Sequence, residues 1–242
     1  MISIVIPALN EAKYIGNLLE SVFAQDIEEE IEIVVADADS TDGTLAIVTS
    51  YQQKHPRIKI TKGGLPAVAR NNGARASSGG IIVFIDSDIT LPTSSTLREC
   101  VAFFREQKLA VAAARLTPNS NRLADHILVG SYNRIFMPLA KHFRPLGAMC
   151  ILVRRDVFER AGGYPEDCVM SEDHDFVYNC TKYGPYDILP KPVSFSVRRL
   201  EKEGRFGIAW KYTYASIYRV TVGPITKPIF KYEFSYTDAE SV

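Results

Sequence analysis

Five consecutive apolar residues, Ile81-Ile82-Val83-Phe84-Ile85, run directly into Asp86-Ser87-Asp88. An apolar run without polar alternation predicts a strand covered on both faces, as in a parallel sheet between helical layers. In an extended chain Asp86 and Asp88, spaced i, i+2, point to the same side. Hard oxygen donors at the carboxyl end of a buried strand suit Mg2+ or Mn2+, which usually bring substrate phosphates with them. The plain alternative is an Asp-Ser-Asp that ends a strand in a turn. Its surroundings decide between the two.

The first half alternates strand and helix. Strands are predicted near residues 2–7, 31–36, 57–62, 81–86 and 110–115, and helices at 11–25, 43–54, 66–77 and 94–107. Ser40, Thr41 and Asp42 are suitable caps for the second helix, and Thr93, Ser94 and Ser95 for the fourth. This alternation predicts an α/β fold: a mostly parallel central sheet, right-handed crossovers and helices on both faces. After residue 116 the rhythm changes. A helical stretch at about 119–142 precedes a strand from Ala148 to Val153. A short helix, the turn Gly162-Gly163-Tyr164-Pro165, an acidic cluster opening another helix and a strand at 192–197 follow. This half is expected to add mixed strands to the same sheet and the second wall of a cleft.

The 242 residues, 46% hydrophobic, suffice for one large α/β domain or two small ones, and one domain with two functional lobes is the expectation. No run reaches the ~18 apolar residues of a membrane span. Met1-Ile2-Ser3-Ile4-Val5-Ile6-Pro7 lacks the basic start and cleavage site of a signal peptide and reads as a first strand. Four scattered cysteines with no C-x-x-C pair fit reduced thiols in the cytoplasm. Net charge is zero but uneven: residues 1–60 hold ten acidic and four basic side chains. Residues 202–232 hold six basic ones (Lys202, Arg205, Lys211, Arg219, Lys227, Lys231) against Glu203 alone, interleaved with aromatics through Tyr232. Such a segment suits an anionic membrane surface or a helix packing aromatics on the core. Nucleic acid is disfavoured, because no recognised binding module accompanies the charge.

Ligands of open α/β sheets sit beyond the carboxyl ends of the strands. Those ends read Pro7-Ala8-Leu9-Asn10-Glu11, then Asp37 through Thr44, then Asp86-Ser87-Asp88, so three polar loops are expected at one edge. No glycine-rich dinucleotide fingerprint or Walker loop is present, which argues against a dehydrogenase or P-loop NTPase. Phosphates would instead be held by metal and arginine. A carboxylate such as Asp37 can accept from the imide N–H of uracil or the N1–H and N2–H of guanine.

Taken together, P-x-x-N-E, D-x-D-S-T-D-G-T, A-R-N-x-G-A (Ala69 to Ala74), Asp86-Ser87-Asp88, R-R-x-x-F-x-x-x-G-G-Y (Arg154 to Tyr164) and Glu172-Asp173 resemble, in order and spacing, the motifs of family 2 glycosyltransferases. The resemblance runs from residue 2 to about 205. It implies a GT-A, Rossmann-like sandwich with a nucleotide-sugar lobe at 1–115, an acceptor lobe of the same domain at 116–200, and the basic aromatic segment at 201–242. Asp39 stands where many members carry Gly or Asn, and the Q-x-x-R-W motif of processive members is missing.

By that resemblance Pro7, Ala8, Asn10 and Glu11 line the nucleoside pocket, Asp37 reads the base and Asp39 touches the nucleoside. Arg70 lies near the ribose or diphosphate. Asp86 contacts ribose or metal, with Ser87 beside it, and Asp88 ligates the Mn2+ or Mg2+ that bridges the diphosphate. The family is inverting, and Asp173 aligns with its general base. Repulsion among Glu172, Asp173 and Asp175 is expected to raise one carboxyl; the helix dipole would by itself favour acids at that helix start. Arg198 and Arg199 resemble a paired-arginine motif that clamps the diphosphate or a lipid phosphate, with a solvated surface pair as the alternative. His174, next to Asp173, could orient an acceptor or ligate metal, but reads first as a surface helix histidine.

The expected donor is a UDP- or GDP-sugar, and the acceptor a polyprenyl-linked glycan or polyprenyl phosphate at the inner face of the membrane. A lipid phosphate needs no general base, so an essential Asp173 favours a hydroxyl acceptor. The rivals are a sugar-1-phosphate nucleotidyltransferase, which usually opens with a Gly-rich loop after its first strand, and a non-catalytic nucleotide-sugar-binding protein.

Overall fold

A computed structural model describes residues 1–227, 229 and 230. Its strands are β1 (Ile2–Ala8), β2 (Ile31–Asp37), β3 (Ile58–Lys62), β4 (Ile81–Ile85), β5 (Ile89–Thr90), β6 (Val111–Ala113), β7 (Leu116–Asn119), β8 (Cys150–Arg154), β9 (Tyr186–Ile188) and β10 (Val193–Ser196). The α-helices are α1 (Ile15–Phe23), α2 (Thr44–Lys54), α3 (Pro66–Ala76), α4 (Thr96–Glu106), α5 (Leu123–Ser131), α6 (Met137–Lys141), α7 (Arg155–Ala161), α8 (Glu172–Cys180), α9 (Arg198–Lys202) and α10 (Arg205–Thr221). A π-helical stretch, Tyr132–Phe136, joins α5 to α6.

Seven strands form the main sheet in the order β3-β2-β1-β4-β8-β6-β9. β8 alone runs against its neighbours, pairing antiparallel with both β4 and β6. A second sheet, β5-β10-β7, stands beside it. The alternation of side chains across each strand assigns the layers. Ile2, Ile4 and Ile6 of β1 and Ile81, Val83 and Ile85 of β4 pack with Leu18 and Leu19 of α1 and Leu97 and Phe104 of α4. Val5, Ile82 and Phe84 face the other way, against Ala67 and Ala74 of α3, Val157 and Phe158 of α7 and Phe176 of α8. The unbroken apolar run of β4 is needed because both of its faces are covered.

Helix starts differ from expectation where loops interlock. α1 begins at Ile15 rather than near residue 11, because the Glu11 and Ala12 N–H groups donate to Thr44 Oγ1 (2.8 Å) and Asp42 Oδ2 (2.9 Å). Of the predicted caps for α2, Asp42 accepts from the Thr44 N–H at 3.0 Å, while Ser40 and Thr41 turn to Asn10. The four cysteines are buried and free. No described helix is long and apolar enough to cross a membrane.

Candidate active site

β2, β1 and β4 are adjacent and parallel, so the three predicted loops leave the same edge side by side. Register pairs Ala8 with Asp37. Ala8 buries its methyl among Ile4 and Ile6, so it offers that edge only backbone, and Pro7 is the half-buried member of the pair. Asp37 is 5% exposed, and its Oδ2 accepts the Ser40 N–H at 2.9 Å. Its Oδ1 is buried with no partner. A buried acceptor without a donor carries its full desolvation penalty, so this oxygen is primed for an incoming N–H. Gly63 closes in from the end of β3, its N–H donating to the Asp37 carbonyl at 2.6 Å. A Cβ on Gly63 would fall 2.6 Å from the Asp37 carbonyl carbon, so only glycine fits.

Asn10 and Asp39 adopt left-handed backbone, φ 56° and 61°, which Gly, Asn and Asp tolerate best. That accounts for Asp39 standing where Gly or Asn is common; its side chain is exposed. Asn10 works as a strut, its Oδ1 accepting the Thr41 N–H at 2.8 Å.

Two arginines knit the remaining residues together. Arg70, 8% exposed, donates to Asp86 and to Glu172 at 2.7 Å each, with its guanidinium 5.3 Å from the centre of the Tyr164 ring. This links the loop after β4 to the start of α8. Arg70 is held there because Asn71, next in its motif, bonds the Tyr164 backbone in both directions (2.9 and 2.8 Å). Gly163 lets Asn71 approach; a Cβ there would lie 2.6 Å from its Oδ1. Two distant motifs thus form one joint.

Arg198 donates both terminal nitrogens to Glu11 (2.9 and 2.6 Å), lies 3.3 Å from Asp88 through Nε, and sits 4.6 Å over the Tyr14 ring. The solvated-pair reading therefore fails for Arg198, which is drawn inward by two carboxylates. Arg199 points elsewhere, to the Tyr212 hydroxyl at 2.9 Å and to Glu203. Ser87 is buried and bonds the Glu11 carboxylate. Burial, with the charges of Asp86 and Glu11, lifts the Asp88 carboxyl to about 7 against the pull of Arg198.

This crowding is a cation deficit, and it fits a divalent ion. Among the described residues no three His, Cys, Asp or Glu side chains are grouped to hold a metal alone. Mg2+ and Mn2+ need no such cage, taking one or two carboxylates and completing their shell with substrate oxygens and water. A cavity of about 350 Å3 opens beside Asp88 and Arg198, bordered by Tyr14, Thr90, Ser194 and Ser196.

At the start of α8 the acidic cluster is divided rather than self-repelling. Glu172 faces Arg70, Asp173 faces His174, and Asp175 is buried against Arg144 and Arg219. Burial raises the Glu172 carboxyl, with Arg70 opposing and the Asp173 charge adding. Burial also acts against the Asp173 charge, but His174, Arg70 and Arg219 outweigh it and hold that carboxyl well below the usual range. The expectation that mutual repulsion raises one member is corrected in this sense: burial leads at Glu172, and cations dominate at Asp173.

His174 is no surface residue, with its side chain 14% exposed. Its Nδ1 lies 3.0 Å from the Gly147 N–H and 3.1 Å from Asp173 Oδ2. One ring nitrogen serves one partner at a time: neutral, it accepts from Gly147; protonated, it donates to Asp173. Tyr14, Gly63 and Gly147 are contributions that sequence reasoning missed, since only tertiary contact reveals them. The basic aromatic segment forms α10, with one face packed and another exposed; Lys231 and Tyr232 lie outside the described residues.

The family model for Glycosyl transferase family 2 matches residues 3–162. Poly(ribitol-phosphate) beta-N-acetylglucosaminyltransferase TarS of Staphylococcus aureus is 38% identical over 109 residues, 43% of this chain and 19% of TarS. The crystal structure of TarS 1–349 in complex with UDP-GlcNAc superposes with TM-score 0.64 at 25% identity, covering 81% of this chain and 58% of that one. The mannosyltransferase PcManGT of Pyrobaculum calidifontis, in complex with GDP-Man and Mn2+, gives TM-score 0.66 at 25% identity, covering 88% and 60%. The chain therefore spans about three fifths of these solved structures and a fifth of full-length TarS. With a family match over most of its length, a GT-A sheet order and the family's acidic motifs gathered at one edge, the chain belongs to glycosyltransferase family 2.

Proposed function

We propose that the chain transfers a sugar from a UDP- or GDP-linked donor, with inversion and with Mn2+ or Mg2+, to a hydroxyl of a polyprenyl-linked glycan at the inner face of the cytoplasmic membrane. Residues 1–115 form the donor side and 116–200 the acceptor side. The observation that carries this is the partnerless Oδ1 of Asp37 at the same sheet edge as Asp86 and Asp88. A base N–H satisfies the first, and the diphosphate with its counter-ion satisfies the others. Solved structures of similar proteins in complex with UDP-GlcNAc and with GDP-Man and Mn2+ support the donor class.

Asp88 and Asp86 would hold the ion, which supplies positive charge opposite the leaving diphosphate. Arg70 and Arg198 add charge at the same place and exclude water from it. Asp173 stays ionised at neutral pH, so it can accept the proton of the attacking hydroxyl. As a weak base it takes that proton late, once the oxygen has begun to bond to the anomeric carbon. Polyprenyl phosphate, already anionic, has no use for Asp173, which favours the hydroxyl acceptor. A nucleotidyltransferase lacks this use for Asp173, and a mere binder has no need of it.

A thermal-shift screen of UDP-, GDP- and dTDP-sugars with and without Mn2+ tests the donor assignment. Stabilisation by one base class, larger with Mn2+, is expected; no shift with any donor overturns it. Inversion is read from the anomeric configuration of the product.

A further inference from the structure

We propose that α10 and the rod formed by α5, the π-helical stretch and α6 make one basic, apolar face that docks the protein on an anionic lipid bilayer. The proposal deepens the lipid-linked-acceptor reading and rests on it for the purpose of the face, though not for its existence.

Arginines tie the two rods side by side at both ends. Arg205, opening α10, grips Asp125 in the first turn of α5. Arg144, just past α6, donates to the Arg219 carbonyl in the last turn of α10. Each rod buries one stripe and exposes large apolar side chains opposite it. In α10 the inner stripe is Ile208, Ala215 and Arg219, while Phe206 (93% exposed), Trp210 (64%), Ile217 and Val220 point outward. At 100° per residue these four lie on the side away from Ile208. In the other rod Asp125, Val129 and Met137 are buried, and Leu123, Ile127, Ile135, Leu139 and Phe143 are exposed. The wider turn at Tyr132–Phe136 shifts the helical phase, keeping the later residues in line with the earlier ones.

Charge selects the occupant. Residues 122–144 and 202–227 carry nine Lys and Arg. They are opposed by Asp125 and Glu203 within those segments and by Asp173, Asp175, Asp187 and Glu201 from neighbouring elements, an excess of three positive charges. A second copy of the chain would bring that excess against itself, whereas an anionic bilayer neutralises it and accepts the apolar rows below its headgroups. Exposed Trp and Tyr beside Lys and Arg belong at that depth. Arg144 and Arg219 also hold Asp175 of α8, two residues beyond Asp173, so the inner side of both rods is anchored to the helix that carries Asp173.

The test is flotation of the full chain with vesicles of phosphatidylcholine alone and of phosphatidylcholine mixed with phosphatidylglycerol. Binding to the anionic vesicles alone, weakened by salt, is expected, with a blue shift in the emission of the chain's single tryptophan, Trp210. Phe206→Ser with Trp210→Ser, or Leu139→Ser with Phe143→Ser, should each weaken partition about tenfold or more. Thermal shift by UDP should be unchanged in both. Wild-type protein that stays in solution with anionic vesicles overturns the proposal, as does equal binding by both double variants. Concentration-dependent self-association that the same variants abolish, without lipid, assigns the face to a second copy and also overturns it. Flotation reads the face alone; transfer to polyprenyl-linked against water-soluble acceptors reads the acceptor class, so either can fail without the other.

Discussion

Replacing Arg70 with methionine separates the ionic joint at the centre of the site from mere packing. The guanidinium is the shared cation of Asp86 and Glu172, at 2.7 Å from each. Removing one partner of a buried pair costs about 3–5 kcal/mol. The Asp86 side chain keeps 29% exposure and is partly rehydrated, which places the cost near the lower end, about 3 kcal/mol. In a chain of this length about 1 kcal/mol moves Tm by about 2–4 °C, so a fall of roughly 6–12 °C is expected.

The sign of the pH dependence follows from Glu172. Burial raises its carboxyl above the ordinary 4.5, and Arg70 is the main opposing influence. Without Arg70 the folded-state value climbs further. A raised carboxyl contributes most below the unfolded value and loses that contribution as pH rises through the folded one. The deficit of Arg70→Met should therefore be small at pH 5 and full at pH 8, and Glu172→Gln added to it should restore part of the loss. Thermal denaturation of wild type and the single and double variants at both pH values measures this. A deficit under about 1 °C at pH 8, or one that shrinks as pH rises, refutes the ionic account.

Asp88→Ala should abolish turnover and Mn2+-dependent nucleotide binding while leaving the circular dichroism spectrum unchanged; normal turnover would remove Asp88 from the metal site. Because the Asp88 carboxyl sits at about 7 and a metal needs it ionised, Mn2+ affinity by calorimetry should rise between pH 6 and pH 8 with proton release; a pH-independent affinity contradicts this. Asp173→Asn should keep donor binding and lower transfer about 100-fold or more, and full activity would move the base elsewhere. Gly63→Ala should weaken nucleotide binding, because the added methyl displaces the backbone that holds Asp37; unchanged affinity for UDP and GDP would detach Asp37 from the base.

The loops after β1, β2 and β4 were legible because a buried strand writes its apolar run and its polar end into contiguous residues. β8, which inverts the sheet direction, was legible as a strand in a half expected to add mixed strands, but its place between β4 and β6 was not, since pairing partners are distant in sequence. The same limit hid the inward turn of Arg198, the fit of Asn71 against Gly163, and the division of Glu172, Asp173 and Asp175 among three sets of cations. Short strands such as β5 and β9 carry too few residues for periodicity to register. His174 reads as a surface residue because nothing local announces that Gly147 and Asp173 will enclose it.

The central claim is that Asp37, Asp88 and Asp173 surround one nucleotide-sugar. The most direct measurement is a crystal structure with Mn2+ and whichever of UDP or GDP stabilises the chain. The account predicts a base N–H on Asp37 Oδ1, the ion on Asp88, and open space between the diphosphate and Asp173. A nucleotide bound elsewhere, with Asp37 Oδ1 still unpartnered, would contradict it.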